Sequence, residues 1–565
     1  MSRRYRLRHA ATVALLNAAL LSPVYPAGAN PVAAPAPEIS AVAPGRSFGL
    51  YDAQSFRLTS GTCGDCAAPR QARWYFERET IAVPLPGLPG ATFTPGVRAA
   101  DDVRAWAATR QSAAPLDYPP LVWVAAPQVA AGARLTPDAT ALTFANRVTV
   151  PFRLTPKIPL NRAYFDGSSA NFFAQRTIKV RGALREEGIV ARTLWPEDFR
   201  LDPAPPLHPL AAGEPPVEGL RALVRAQAQA DGQSPFAAYT LWRRDRAEAG
   251  PAFPPGRAVI GIMVNGAQGD DDEAHGGHFA LVTGRTRADG AIGDWLVNNF
   301  YSLDIESEKG ILAAPLPLDN YVGDLNSGQG WYRPSYLVVA VLAEERAAAL
   351  VQGALNRVYN QFYRHQLVYR HATMNCSGIS VDVLRALGWD VPARGPTSRL
   401  LAALGFPYFL ASERSLAKAR TAFDYLYGDQ TRLMPAAAFE DAGASLLALV
   451  GAAGTRGAGG KADGPLAQML ADDVEAIAFL RFPQLPSSRA FGSAPAVTTW
   501  EYRTLVPADP AEAQIVAVPP RPFPAELRDP DLLPAPRRPS DIAAALWAAL
   551  AIGLALWLLW WRWRA

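Results

Sequence analysis

The feature that most restricts what this chain can fold into is an uncharged stretch near its C-terminus, residues 542–561. A helix rises about 1.5 Å per residue, so these residues would extend roughly 30 Å, the thickness of the hydrocarbon core of a bilayer. Tryptophans crowd the end of the stretch, where indole rings favour the headgroup level, and Arg562 and Arg564 follow. The pattern predicts contact with a membrane through a transmembrane helix at 542–561, with a short cytoplasmic tail at 562–565.

The N-terminus has the three parts of a secretory signal peptide, which predicts export of the chain. Four arginines lie within the first eight residues, residues 10–21 are mostly apolar, and Ala27-Gly28-Ala29 offers the small-residue pattern that signal peptidase cleaves. A retained N-terminal anchor is the alternative, but about a dozen apolar residues are too few for a stable crossing. A cleaved signal at 1–29 and a C-terminal span together predict a single-pass protein of the bacterial inner membrane with its body in the periplasm.

Composition excludes two classes of protein. The net charge is +4 over 565 residues and the arginines are scattered, so the concentrated basic face of a nucleic-acid-binding protein is not expected. The three cysteines are too few for a disulfide-rich scaffold. Cys63 and Cys66 match the C-x-x-C redox pattern, but Ala-Ala-Pro follows them, which favours a local structural disulfide. Cys376 is left over, and an odd thiol in an exported protein is a candidate for a reactive one.

Changes in hydropathy and in proline and glycine content divide the chain into segments, which together predict an α+β fold. Short apolar runs broken by proline and glycine predict strands, whereas apolar residues at helical spacing predict helices, one of them at 219–242. Between the signal peptide and the membrane helix, the segments are an Ala/Pro-rich leader (30–46), a mostly β domain (47–155), a mixed connecting region (156–250), a central domain (251–407), a helical region (408–500) and a Pro-rich tether (501–541).

The central domain contains a predicted hairpin followed by two helices. Residues 279–282 and 295–301 are strand-like and are joined through Asp289-Gly290, a pair that forms tight turns. Residues 344–362 carry apolar side chains at helical spacing. A second helix is expected to begin near Ser377 and to stop at Gly388.

Cys376 lies at the start of that second helix. A cysteine there faces unsatisfied N–H groups and the positive end of the helix dipole, and both favour the nucleophilic thiolate. The same N–H groups can hold the oxyanion that forms when a thiolate attacks a carbonyl carbon. Such a thiolate needs an imidazole as its base and a polar group that orients the imidazole. His278 opens the first hairpin strand, and counting outward from the turn puts Asn298 or Asn299 beside it.

These residues resemble a known arrangement. Gly277-His278-Phe279-Ala280-Leu281, then Val297-Asn298, then Asn375-Cys376 at a helix start are similar to the circularly permuted NlpC-type papain-like fold, and most similar to the Lnb-type N-terminal periplasmic domain family of bacteria. The resemblance covers residues 259–389. It implies a triad with Cys376 as nucleophile, His278 as base and Asn298 as the orienting residue. The wider fold group implies peptidoglycan peptides or lipid-linked acyl groups as substrates, and no cofactor.

Each of these interpretations has a plainer alternative. Cys376 can be a small buried hydrophobic residue at the start of a core helix, and His278 an ordinary residue at the start of a strand. If His278 is not the base, His365 and His371 are the next candidates, because they precede the same helix start. Carboxylates and imidazoles at 270–278 suggest a metal, but the spacing lacks a recognisable third ligand, so a solvated acidic loop is favoured and no metal is predicted.

The sequence therefore predicts a membrane-anchored envelope enzyme that uses a thiol to hydrolyse, or to transfer an acyl group from, an amide or ester bond. Two other functions stay open. The first is a non-catalytic envelope protein that retains the fold for binding or assembly. The second is a periplasmic thiol-disulfide protein that uses Cys63 and Cys66.

Overall fold

The chain forms a mixed fold of helices and sheets. The computed structural model describes residues 39–40, 47–110, 115–158, 164–211, 213–226, 235–244, 251–268, 277–305, 310–396, 399–451, 463–487, 493–494 and 520–527. The predicted signal peptide at 1–29 and the predicted transmembrane helix at 542–561 lie outside these residues. The described residues all belong to one compact unit.

The elements up to residue 243 include most of the short strands. The helices are α1 (Arg70–Tyr75), α2 (Ala99–Thr109), α3 (Gly167–Ala174) and α4 (Pro216–Arg225). The strands are β1 (Ile39–Ser40), β2 (Ser47–Phe48), β3 (Tyr51–Asp52), β4 (Phe56–Ser60), β5 (Thr80–Pro84), β6 (Val122–Ala125), β7 (Gln128–Leu135), β8 (Ala141–Thr143), β9 (Thr149–Leu154), β10 (Ile178–Arg185), β11 (Gly188–Pro196) and β12 (Ala237–Arg243).

The elements after residue 257 include most of the long helices. The strands are β13 (Ala258–Asn265), β14 (Ala267–Gln268), β15 (His278–Arg285), β16 (Leu296–Asn299), β17 (Ala314–Pro317), β18 (Ser335–Leu342), β19 (Val474–Phe482) and β20 (Ser493–Ala494). The helices are α5 (Leu318–Gly323), α6 (Arg346–Tyr363), α7 (Cys376–Ala386), α8 (Arg399–Glu413), α9 (Leu416–Tyr427), α10 (Gln430–Leu433), α11 (Pro435–Leu449) and α12 (Pro465–Asp473).

A seven-stranded antiparallel sheet forms the core, in the order β12-β19-β18-β13-β15-β16-β17. Strands β13 and β18 are buried along their whole length, as expected of continuous apolar runs in the middle of a covered sheet. Helices α6, α7 and α11 pack against β15. This packing brings the N-terminus of α7 to the beginning of β15, and that juncture is where the predicted catalytic residues lie.

Two sequence predictions missed strands of this sheet. Helices α9 to α12 lie within the region 408–500, as predicted, but β19 lies there too and pairs with both β12 and β18. The stretch 219–242 was expected to be one helix, but only α4 is helical there and β12 follows. In both cases a short apolar run is long enough for a buried strand, and pairing with distant strands decided its structure.

A six-stranded sheet in the order β1-β7-β10-β11-β9-β8 joins the central sheet through buried charges. On β10, Lys179 contacts Asp294 at 3.0 Å and Asp319 at 2.6 Å, and Arg181 contacts Asp319 at 2.9 Å. All four side chains are almost fully buried. Two cations and two carboxylates compensate each other there, so the desolvation of each charge is offset by its partners.

The predicted membrane placement requires correction. Among the helices of the described residues, none is long and apolar enough to cross a membrane. The longest of them, α6, has 18 residues but includes Gln352, Asn356 and Arg357. The described helices therefore give no support to the transmembrane helix of the predicted fold class or to the predicted single-pass placement in the inner membrane, and neither is retained.

Candidate active site

Cys376 is the first residue of α7, and a capping asparagine holds the backbone there. The side-chain oxygen of Asn375 accepts a hydrogen bond from the N–H of Gly378 at 3.0 Å, which makes Asn375 the N-cap of the helix. The side-chain amide of Asn375 donates to the carbonyls of His371 at 3.1 Å and Leu433 at 2.8 Å. These three bonds fix the turn that presents Cys376 at the helix N-terminus.

His278 begins β15, and a glycine makes that position possible. Gly277 has a φ of 81°, a left-handed conformation that side chains disfavour, and a Cβ there would collide with the carbonyl oxygen of Asn265. Nε2 of His278 lies 2.6 Å from the side-chain oxygen of Asn299. The amide nitrogen of Asn299 donates to the carbonyl of Leu312 at 3.1 Å, so its oxygen is the atom that faces the ring. Nε2–H therefore donates to Asn299, and Nδ1 is left for the thiol.

The asparagine that hydrogen-bonds the His278 ring is Asn299 and not Asn298, the predicted choice. In the pairing of β15 with β16, Leu281 lies opposite Asn298. Side chains alternate between the faces of a strand, so Asn298 shares the face of Leu281, whereas Asn299 shares the face of Ala280 and His278. A shift of one residue moves a side chain to the other side of the sheet, and counting from the turn could not resolve that shift.

Asn298 has a structural role on the opposite face. Its amide nitrogen donates to Oε1 of Gln352 at 3.1 Å and to the carbonyl of Leu281 at 3.2 Å. The amide nitrogen of Gln352 in turn donates to the oxygens of Asn298 at 3.0 Å and Asn356 at 2.8 Å. These buried polar groups satisfy one another and attach α6 to the sheet.

The surroundings of Cys376 favour its thiolate. Burial of the thiol is the largest single effect and raises its pKa, whereas the positive charge of His278 and a hydrogen bond from that ring lower it. The backbone N–H of Phe279 and the hydroxyl of Tyr369 also donate to the sulfur, and the net effect lowers the pKa of Cys376 from its ordinary value to about 6. A thiolate is therefore the major form of Cys376 at neutral pH.

Tyrosines that the sequence did not single out surround the pair. The ring centroids of Tyr301 and Tyr321 each lie 6.4 Å from that of His278, and the rings of Tyr301 and Tyr369 lie 6.1 Å apart. The hydroxyl of Tyr321 donates to Asn265, and burial raises the pKa of Tyr321 well above its ordinary value, so it stays protonated. Only 3% of Cys376 and 5% of His278 are exposed, so the pair is covered.

The other histidines have different surroundings. His365 lies 2.7 Å from the hydroxyl of Tyr75 through Nε2 and packs on Phe523 with ring centroids 4.2 Å apart. The ring of His371 packs on Tyr369, 5.0 Å away, and its carbonyl accepts from Tyr425. Of these rings and that of His278, the one that hydrogen-bonds Cys376 is His278.

Cys63 and Cys66 are joined by a disulfide. The nearest helix, α1, begins at Arg70, four residues after Cys66. Neither sulfur lies at a helix N-terminus, where a redox-active thiol is usually activated. Asp65 forms an exposed ion pair with Arg57 at 3.0 Å, which attaches this loop to β4.

The predicted acidic cluster at 270–275 lies outside the described residues. Within the part of the chain that the structure describes, no group of three or more histidine, cysteine or acidic side chains could hold a metal ion. His278, which the sequence placed at the edge of that cluster, is instead engaged with Asn299 and Cys376.

The arrangement provides a nucleophile, a base and an orienting amide in hydrogen-bonding sequence, which is the geometry of acyl transfer through a covalent intermediate. Tyr369 is the member of the site that sequence reasoning missed. Asn299 was one of two candidates, whereas no motif marks Tyr369, seven residues before Cys376.

Comparisons of this chain with known protein families, with curated proteins and with solved structures find no match.

Proposed function

We propose that this protein is a thiol-dependent hydrolase or acyltransferase that acts on an amide or ester bond. The observation that carries the proposal is the position of the His278 ring, between the side-chain oxygen of Asn299 and the thiol of Cys376. The lowered pKa of Cys376 supports a thiolate that is ready to attack without further activation.

In the first half of the reaction, Sγ of Cys376 attacks the carbonyl carbon of the substrate and forms a tetrahedral oxyanion. The imidazolium of His278 then gives its Nδ1 proton to the leaving nitrogen or oxygen, and the carbon–heteroatom bond breaks. The products are a thioester on Cys376 and a free amine or alcohol. Asn299 keeps the ring in place throughout, because its oxygen holds Nε2–H.

In the second half, neutral His278 takes a proton from an incoming water, and the resulting hydroxide equivalent attacks the thioester. The carbon–sulfur bond breaks, a carboxylic acid leaves, and the thiolate–imidazolium pair is restored. If an amine or alcohol enters in place of water, the acyl group is transferred to it by the same proton movements.

The start of α7 supplies donors for the oxyanion. The first N–H groups of a helix have no acceptor within the helix, and Asn375 caps that of Gly378. In this proposal the N–H groups of Cys376 and Ser377, in the same first turn of α7, hold the substrate oxygen. An anion at this position also benefits from the helix dipole, and α7 is long enough, at 11 residues, to have a substantial one.

The resemblance to the permuted papain-like fold is part of this proposal. The position of His278 before Cys376 in the chain and the packing of α7 against β15 are consistent with that resemblance. The hydrogen bond of His278 to Asn299 departs from it, because the resemblance implied Asn298. Peptidoglycan peptides and lipid-linked acyl groups are the substrates that the resemblance suggests, and both present the carbonyl that the mechanism requires.

A second candidate is a binding or assembly protein without catalysis, and the burial of the catalytic pair favours it. Only 3% of Cys376 and 5% of His278 are exposed, so a substrate carbonyl can reach the sulfur only after the site opens. Under this alternative, Cys376 is a core residue and its contact with His278 is structural.

Active-site titration separates the two candidates. The folded protein is treated with iodoacetamide at neutral pH, and the site of modification is mapped by mass spectrometry. The proposal predicts that Cys376 is alkylated while the protein remains folded, as judged by circular dichroism, and that Cys376→Ser abolishes hydrolysis of activated thioester or ester probes. Alkylation that follows only after unfolding contradicts the catalytic function and supports the core-residue alternative.

A further inference from the structure

An eight-residue segment from far along the chain contacts two loops that also contain residues of the site. This segment, residues 520–527, is called the strap here. Pro520 pairs with Ile305, and the N–H of Arg521 donates to the carbonyl of Asp304 at 2.8 Å. The strap falls within the region that was predicted to be a Pro-rich tether at 501–541, and in these eight residues it packs on the body instead.

Arg521 attaches the strap to α1 through aromatic faces. Its guanidinium lies 4.7 Å from the ring centroid of Trp74 and 5.1 Å from that of Tyr75, and it donates to the carbonyl of Tyr75 at 3.2 Å. Cation–π contacts of this kind are attractive at the surface of a protein and stronger where water is excluded. The strap therefore has a specific electrostatic contact, in addition to its backbone pairing.

Phe523 is the apolar anchor of the strap. Only 6% of it is exposed, and its ring lies 4.2 Å from that of His365, 5.4 Å from Trp74 and 5.5 Å from Tyr75. Prolines precede and follow it, which favours an extended backbone with little entropy to lose on docking. Docking of an extended proline-rich segment in a groove lined by aromatic rings is a recurrent form of peptide recognition.

The strap connects the two loops that cover the catalytic pair. The first loop, at 300–305, contains Asp304 and Ile305, which pair with the strap, and Tyr301, which packs beside His278. The second loop, at 364–375, contains His365, which packs on Phe523, and Tyr369, which hydrogen-bonds Cys376.

Within the site, the rings of Tyr301 and Tyr369 pack on each other, with their centroids 6.1 Å apart. His365 has a φ of 58°, a conformation uncommon for residues other than glycine, at the point where the strap contacts the second loop. The two loops are thus linked at two places. Their tyrosines pack together beside the catalytic pair, and both loops contact the strap.

We propose that the strap is a displaceable clamp that holds Tyr301 and Tyr369 closed over Cys376, and that its release admits substrate. The proposal rests on the proposed function for its purpose, although the clamp itself can be tested without any substrate. Because Trp74, Tyr75 and His365 form a peptide-binding recess, an extended peptide with arginine and phenylalanine between prolines competes with the strap for the same position.

The test compares the full-length protein with the Arg521→Ala/Phe523→Ala variant. Loss of the cation–π contact and of the buried phenyl ring shifts the closed–open equilibrium, and we expect Cys376 to react with iodoacetamide at least about tenfold faster. A synthetic peptide of residues 520–527, added in excess, should bind the variant and slow this reaction again. Labelling at the wild-type rate, or a peptide that leaves the rate of the variant unchanged, overturns the proposal.

Two further variants make the result specific. Arg176→Ala removes a comparable cation–π contact, in which the guanidinium lies 3.9 Å from the ring centroid of Phe172. Arg176 is remote in sequence from the strap and from the site, so this substitution should leave the labelling rate of Cys376 unchanged. If the double variant does not fold, Arg521→Ala alone removes the cation–π contact and leaves Phe523 in place, and a smaller acceleration is expected. Equal acceleration by Arg176→Ala contradicts a clamp and indicates general loosening.

The clamp and the catalytic function can fail separately. Adding His278→Ala to the strap variant should slow labelling at neutral pH, because the thiolate loses its partner. Fast labelling that does not depend on His278 refutes the catalytic pair and leaves the clamp intact. His278-dependent labelling that is equal with and without the strap substitutions refutes the clamp and leaves the catalytic pair intact.

Discussion

The pH dependence of Cys376 alkylation tests the central feature of the site. The pKa of this thiol is lowered to about 6, and the charge and hydrogen bond of His278 are the largest of the causes that lower it. Replacing His278 with alanine removes both, while burial, which raises the pKa, remains. We therefore expect the pKa of Cys376 in the variant to return to its ordinary value or above. Since the lowered pKa belongs to an acid, the thiolate is present above pH 6 in the native protein and is lost as the pH falls through 6.

The size of the effect follows from two opposing factors. At pH 7 a thiol with a pKa near 6 is about 90% thiolate, whereas one near 9 is about 1% thiolate, roughly a hundredfold difference. A less basic thiolate is also a weaker nucleophile, and a Brønsted slope of about 0.4–0.5 over three pKa units reduces reactivity roughly twentyfold. The net advantage of the native protein is then only about fivefold at pH 7, and it grows to about fiftyfold at pH 5.

The assay is therefore a rate profile between about pH 5 and 10, because a single measurement at neutral pH would understate the difference. Iodoacetamide labelling of Cys376 should reach half of its plateau near pH 6 in the native protein and near pH 9 or higher in His278→Ala. His208→Ala is the matched control, since that ring packs on Tyr239, 5.3 Å away, and not on a residue that contacts Cys376, so the midpoint should stay in place. The same midpoint for the native protein and His278→Ala would refute the proposed pair.

Three other predictions follow from the geometry. Asn299→Ala should reduce turnover by about ten- to a hundredfold with little loss of stability. Asn298→Ala should lower the free energy of unfolding by about 1–3 kcal/mol, because Gln352 loses one of its buried partners, and equal effects of the two substitutions on turnover would contradict the strand register. Asp319→Ala should destabilise the protein by about 3–5 kcal/mol in chemical denaturation, since Lys179 and Arg181 lose a buried counter-charge. A change below about 1 kcal/mol would argue against these buried ion pairs as a stabilising link between the two sheets. Under denaturing, non-reducing conditions, mass spectrometry should find one alkylated thiol, at Cys376, and three would exclude the disulfide.

Local sequence patterns determined the parts of the site that depend on neighbouring residues. Asn375-Cys376-Ser377-Gly378 encodes a helix start, because an asparagine side chain can cap the N–H groups that follow it, and α7 begins at Cys376. The turn residues between 287 and 290 led to a hairpin, and β15 and β16 pair around them. His278 could be proposed as the base from its place at the start of a strand after a glycine.

The tertiary structure decided the parts that depend on register and on contacts between distant segments. Asn298 and Asn299 differ by one residue and share the same local pattern, but they face opposite sides of the sheet, and the pairing with β15 assigned Asn299 to His278. Tyr369 reaches Cys376 because of the path of a loop that no periodicity describes.

Strand β19 shows the same limit at the level of the fold. Its residues are apolar enough for a helix or a strand, and its place in the sheet comes from partners more than a hundred residues away. A sequence determines a structure locally where caps, turns and alternation act within a few residues. Where the stabilising contacts come from distant segments, the free energy of packing decides, and that quantity is defined only in the folded chain.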